Sequence, residues 1–273
     1  MKKYICIIIT LLSQLYVIAQ TDSTIFKKRK TALIISESAI YSASFVGLYK
    51  LWYADYEMSK FHFFNDTNEW FLVDKGGHSF STYWTSKINT ELFLWSGMPK
   101  KNSILLGTGI SMLYITSIEI LDGFSAAWGA SAPDFVANLS GALLFSIQRA
   151  VWNEERINLK YSYFPSEYAS LRPNVLGKTL PEKLLKDYNA TTFWLSFNLK
   201  SLTKISAIPS WLNIAIGYGA NGLTGGKENY FDTACNCYPI ANSLRTPQVY
   251  ISLDIDLSKI KTKPSLGKAY FTH

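Results

Sequence analysis

The chain has 273 residues, 48% hydrophobic and 17% charged, with a formal net charge of +7 and a pI near 9.1. Its basic residues are dispersed except for Lys27-Lys28-Arg29-Lys30, which argues against the continuous basic surface of a nucleic-acid groove. No dinucleotide fingerprint, zinc-protease helix motif or nucleophile elbow is present, so the common oxidoreductase and hydrolase classes gain no support.

Lys2 and Lys3 precede an apolar run from Tyr4 to Leu12, and Val17-Ile18-Ala19 ends on a small residue. This reads as a signal peptide over 1–19, cleaved after Ala19, with an uncleaved anchor as the alternative. Cys6 lies inside the apolar run rather than at the cleavage point, so the expectation is an exported, periplasmic or envelope-membrane protein that is not an evident lipoprotein. The basic cluster at 27–30 directly precedes an apolar segment. It suits either an anionic lipid surface or a solvated helix start.

Four segments of helical character follow, Thr31–Tyr53, Glu69–Gly97, Ser103–Phe124 and Ala132–Trp152, each of roughly membrane-spanning length. Small residues are plentiful in them, and Trp52, Trp70, Trp95, Trp128 and Trp152 lie near their ends. That pattern fits helices embedded in or against a membrane, and it also fits the rim of a soluble bundle. Gly97-Met98-Pro99 and Asp122-Gly123 mark the breaks. Ser131 is placed as an N-cap, with Pro133 in the first turn and Asp134 complementing the positive helix end.

Beyond residue 155 the hydrophobic period changes to two, in Asn158–Phe164, Phe193–Leu199, Trp211–Ala220 and Val249–Leu257. The predicted fold class is therefore α+β: a four-helix bundle over 31–155, an antiparallel sheet of about four strands over 156–260, and a tail over 261–273. Four strands do not close a barrel. One apolar face of the sheet is expected against the helices or a membrane surface. On the last strand Leu253, Ile255 and Leu257 are expected inward and Asp254 and Asp256 in solvent. Cys235 and Cys237, in a loop after Gly225-Gly226, can close a small disulfide or serve no chemical role.

Ionisable groups are conspicuous where the helices should be apolar. Asp74 and His78 are four apart, Glu119 and Asp122 three apart, and Asp134 and Asn138 four apart, so each pair shares one helical face. Unpaired buried charge is costly, which predicts that these residues, with Lys75 and Ser131, meet in space. Such an excess of carboxylates demands protons, Lys75 or a cation. His78 can ligate a divalent metal, although the residues favour a binding or structural site over a metal centre. Ser79, Ser81, Ser125 and Ser131 lie nearby without forming a readable triad.

These motifs, Asp74-Lys75-x-x-His78, Glu119-x-x-Asp122-Gly123-Phe124 and Ser131-x-x-Asp134-x-x-x-Asn138-x-x-Gly141, resemble the uncharacterised YfiM-like family of predicted periplasmic lipoproteins. Over residues 70–142 they also resemble, in part, the membrane-embedded VanZ-like proteins, with Asp122 standing where those proteins carry glutamine. The resemblance implies an envelope location and a shared polar site, and it implies no substrate. Three functions remain open at this stage: binding of a lipid or cell-wall-related amphiphile, metal-assisted hydrolysis or transfer on an envelope lipid, and a purely structural network. Membrane or envelope lipid is the expected partner, with no nucleic acid.

Overall fold

In the computed structural model, which describes residues 24–54, 56–229 and 244–260, all four helical segments and all four strands are present. Helix α1 spans Thr24–Leu48 and runs into a π-helical turn at Tyr49–Tyr53; α2 spans Val73–Trp95, α3 Lys100–Asp122 and α4 Ala132–Val151. Strands β1 (Ile157–Tyr163), β2 (Thr191–Asn198), β3 (Leu212–Asn221) and β4 (Thr246–Ile255) pair antiparallel in the order β1-β2-β3-β4. Three short helices, α5 (Tyr168–Leu171), α6 (Pro173–Leu176) and α7 (Leu180–Lys186), fill the β1–β2 connection, and α8 (Leu199–Thr203) follows β2. None of these short helices has a counterpart in the sequence expectation. The signal peptide, the Cys235–Cys237 loop and the 261–273 tail lie outside the described residues.

Helices α2, α3 and α4 pack against one another, and glycine makes the close approaches. A Cβ at Gly107 of α3 would lie 2.6 Å from the Thr90 backbone nitrogen, and one at Gly141 of α4 would lie 2.0 Å from the Ser79 carbonyl oxygen. Any side chain there would push the helices apart. Helix α1 joins this trio along one side: Tyr41 stacks on Tyr114, Ser44 shares a 2.6 Å hydrogen bond with the Tyr114 hydroxyl, and Asn89 donates to the Tyr41 hydroxyl at 2.6 Å. Leu33, Phe93, Met98 and Ile110 form the apolar centre between these helices.

Among the described residues, two helical stretches, Phe26–Leu48 and Lys100–Asp122, are long and apolar enough to cross a membrane by length and composition. Of their most apolar stretches, 11% of the first and 44% of the second are buried inside the protein. The sequence expectation had placed all four segments in this class.

The sheet packs one face on α2 and α4. Leu159 meets Tyr83 and Phe145, Phe193 packs beside Gly76, and Val73 meets Ala220 and Leu223. Coverage ends before β4. Leu253 and Ile251 are 73% and 79% exposed, and Ile255 and Leu257 are exposed as well, which corrects the expectation that this strand buries its apolar residues. Period-two alternation assigns residues to a common face, but a neighbouring element must still cover that face. Asp254 also departs from its expected solvated role: it pairs with Lys160 at 2.6 Å and accepts from Ser196. Asp256 accepts from the Ser258 backbone and hydroxyl.

Candidate functional site

The beginning of α2, the end of α3 and the beginning of α4 meet at one end of the helical layer. Helix α4 starts as its sequence dictates: the Ser131 hydroxyl accepts from the Asp134 backbone nitrogen at 3.1 Å, with proline in the first turn. Helix α2 starts differently. Trp70, Phe71 and Leu72 all have left-handed backbones, with φ of 49°, 50° and 62°, and α2 has no side-chain cap. Such conformations cost non-glycine residues roughly 1–2 kcal/mol each. They are held by hydrogen bonds from the Trp70 nitrogen to the Gly226 carbonyl and from the Tyr218 hydroxyl to the Phe71 carbonyl. The helix therefore begins at Val73 rather than at Glu69.

Lys75 is the hub of the site. Its ammonium donates to Asp66 at 2.5 Å, Asp74 at 2.8 Å and Asp134 at 2.5 Å, with all four side chains largely buried. Asp66 was not anticipated from the sequence. It sits in a loop with no hydrophobic period to flag it, and backbone bonds place it there: Ser59 to Phe124, His62 to Gly123 and Phe64 to Ala130 lace residues 59–64 along the α3–α4 connection. Ser131 donates to the other oxygen of Asp66 at 2.7 Å. The sequence around it offers only a polar run, Asn65-Asp66-Thr67-Asn68-Glu69, after an aromatic stretch.

His78 stands one turn deeper. Its Nδ1 lies 3.1 Å from Asn138 Oδ1 and 3.3 Å from Glu119 Oε1, while Nε2 lies 3.4 Å from Asp134 Oδ1. Asn138 is fully buried; it also accepts from Thr82 and its Nδ2 faces Glu119 at 3.4 Å. Asp122 is beside this group rather than within it, accepting from the Tyr53 hydroxyl at 2.6 Å. The structure thus brings Asp74, Lys75, His78, Glu119, Ser131, Asp134 and Asn138 into one contact network, with Asp122 on its margin. Ser79 donates to the Ala137 carbonyl and Ser125 accepts from Ala127, so both hydroxyls serve local structure.

Five carboxylates face one ammonium and one imidazole. Burial pushes Glu119 up to about 9, reinforced by Asp134 and Asp122, and it pushes Asp122 and Asp134 up to about 6. Asp74 is raised by burial, against the pull of Lys75. Asp66 is lowered despite its burial, through its hydrogen bonds with Asp134, Lys75 and Ser131. Lys75 is raised, because the attraction of Asp74 and Asp134 outweighs desolvation. Glu119 and Asp122 also sit at the C-terminal end of α3, where the helix dipole disfavours negative charge. Two buried oxygens, Asp74 Oδ1 and Glu119 Oε2, have no hydrogen-bond partner among the described residues.

A cavity of about 420 Å³ opens beside the network. Asp74, His78, Asp122 and Tyr53 contribute to its polar part; Leu48, Phe80, Ile115, Ile118, Leu184, Leu185 and Phe193 line the rest. Its size is within the range of small-molecule sites.

Residues 59–149, about a third of the chain, match the model of a family described as predicted periplasmic lipoprotein (DUF2279). The matched stretch holds every member of the network from Asp66 to Asn138 and leaves out α1 and the sheet. The chain is thus similar to an uncharacterised periplasmic family, which supports an exported envelope protein. That description does not bear out the expectation of a chain without a lipid anchor; the leader and its Cys6 lie outside the described residues. No curated protein and no solved structure matches the chain.

Proposed function

We propose that the protein binds an envelope amphiphile, a lipid or cell-wall-related molecule, with its apolar part in the cavity and its polar head at the Asp74–His78–Asp122 end. The supporting observation is the cavity's division: aliphatic and aromatic walls lead to a cluster with surplus carboxylates and unpartnered oxygens. Apolar walls supply affinity roughly in proportion to the area they remove from water, about 25 cal/mol per Å² before the costs of association. The polar end supplies selection, because a head group that cannot satisfy those oxygens leaves them buried and unpaired. The match to a predicted periplasmic lipoprotein family, together with the resemblance of the motif order to YfiM-like and VanZ-like proteins, supports an envelope setting for this ligand. The basic start of α1, where Arg29 lies over the Trp95 ring, supports an anionic lipid surface nearby.

The test is binding of a fluorescent dodecyl-chain probe with an ammonium head to the purified full chain. Ile118→Trp, which fills part of the cavity from its apolar wall, should weaken binding of this probe and of an uncharged dodecyl analogue at least about tenfold, the effect of losing roughly 1.4 kcal/mol. Asp122→Asn should weaken the ammonium probe more than the uncharged analogue. Equal binding by the native chain and Ile118→Trp, or no saturable binding by the native chain, would sink the reading.

A further inference from the structure

Asn138 fixes more than helix register. Its Oδ1 accepts from Thr82 Oγ1 and lies 3.1 Å from His78 Nδ1, while its Nδ2 points to Glu119 Oε1. This arrangement assigns the hydrogen of a neutral His78 to Nδ1, where it donates to the amide oxygen. The lone pair on Nε2 then faces Asp134 Oδ1 at 3.4 Å. That same oxygen accepts from the Lys75 ammonium at 2.5 Å, which offsets part of the repulsion between the two acceptors.

We propose that His78, Asp134 and Glu119 bind a divalent cation of the zinc class beside the cavity. The ligand atoms of these three residues all lie within 4.8 Å of one another. For bonds of about 2.0–2.1 Å, tetrahedral geometry separates ligands by roughly 3.3 Å, close to the His78–Asp134 spacing. The second, independent observation is Glu119 Oε2. The Glu119 side chain is 6% exposed, and this oxygen has no hydrogen-bond partner among the described residues. A mixed nitrogen and oxygen set suits zinc, three protein ligands leave a fourth position for water or a ligand atom, and of the three His78 also lines the cavity.

The surrounding residues complete the site. Asn138 is a positioning residue: its amide oxygen accepts from Nδ1 and fixes the ring's orientation, as the hydrogen-bond partners of metal-bound histidines do. Lys75 donates to Asp134 Oδ1, the oxygen that also faces His78, and so orients that carboxylate. A dication also answers the charge imbalance, which Lys75 alone leaves uncompensated. The amphiphile is not required for this site, so the two proposals fail separately.

The experiment titrates zinc ion alone into the chelator-stripped full chain and follows heat and bound metal. The expected result is one ion per chain, with affinity falling at least about tenfold in His78→Gln and Glu119→Gln, and by about 10–100-fold in Asn138→Ala. Circular dichroism verifies that each variant is folded. The H62Q/H273Q double variant, in which His78 is the sole imidazole, should keep the ion and show its histidine nitrogen resonance move on zinc addition. That measurement decides the matter even if the ligand variants do not fold. Substoichiometric uptake by the native chain, an unmoved His78 resonance, or equal uptake by folded variants, meaning an adventitious ion only, would overturn the proposal.

Discussion

Two of the buried polar networks, one at the helix ends and one in the sheet, are built on opposite terms. In the sheet, Asn198 donates to the Ser210 carbonyl and to Asn213, Asn213 donates to Ser196, Ser196 donates to Asp254, and Lys160 pairs with Asp254. One carboxylate meets one ammonium, and hydrogen bonds to Lys160 and Ser196 hold Asp254 below the usual carboxylate range. At the helix ends, five carboxylates share Lys75 and His78, three of them are pushed well up, and two oxygens remain unpartnered. A satisfied network holds structure in place, whereas a surplus of one charge leaves work for a ligand. Burial alone does not separate the two, since Ser196, Asn198 and Asn213 are as deeply buried as Asn138. The distinction lies in whether the charges and hydrogen bonds close within the chain.

Three perturbations sharpen that contrast. The largest effect is expected from Lys75→Met, which removes the ammonium from Asp66, Asp74 and Asp134 and leaves uncompensated buried charge. Denaturant unfolding near neutral pH should show a loss of about 3–5 kcal/mol. Acidification, which protonates the carboxylates, should return part of that loss; a cost below about 1 kcal/mol would contradict the role of Lys75 as hub. Next in size is Asn213→Ala in the sheet, with an expected loss of about 1–3 kcal/mol from unsatisfied partners. Because that network is neutral overall, the loss should be nearly constant from weakly acidic to weakly alkaline pH. A strong pH dependence would show that the two networks are not so different after all.

The smallest effect is one of slope. Glu119, faced by His78, Asn138, Asp122, Asp134 and Ser131, is raised to about 9, and Asp122 and Asp134 to about 6. A raised carboxylate keeps its proton in the folded state at pH values where the unfolded chain has released it. Its stabilising contribution is therefore present in acid and is lost as pH rises through the folded value. In metal-free protein, stability should fall from about pH 4 to about 6 for the two aspartates, and on toward about 9 for Glu119. Glu119→Gln should remove the decline above about pH 6 while leaving the lower one. Thermal unfolding across that range checks this, and an unchanged profile would show that Glu119 does not carry the alkaline part.

Much of the helix-end site was legible because helical spacing is a geometric code. Asp74 with His78, Glu119 with Asp122, and Asp134 with Asn138 each point one way from a helix, and buried charge has to find company. The Ser131 cap and all four strands were legible for similar reasons of local chemistry. Asp66 was not, because its position depends on backbone bonds between two loops distant in sequence. Nor was Tyr53, whose hydroxyl reaches Asp122 from the far end of α1 through an extra π-helical turn. The uncovered face of β4 was misread because alternation says which residues travel together and nothing about what lies opposite them. The helices α5 to α7 are too short for periodicity to register.

The left-handed turn at Trp70–Leu72 ties the two halves of the chain together mechanically. Asp74 and Lys75 ride on the first turn of α2, and that turn is anchored through Phe71 and Trp70 to Tyr218 of β3 and Gly226 beyond it. The sheet, which contributes no charged ligand to the network, thereby sets where two of its charges stand. Any force or partner that shifts β3 along its axis would pull on this tether and tilt Lys75 among its three carboxylates. Through that tether the second half of the chain takes part in placing the polar centre.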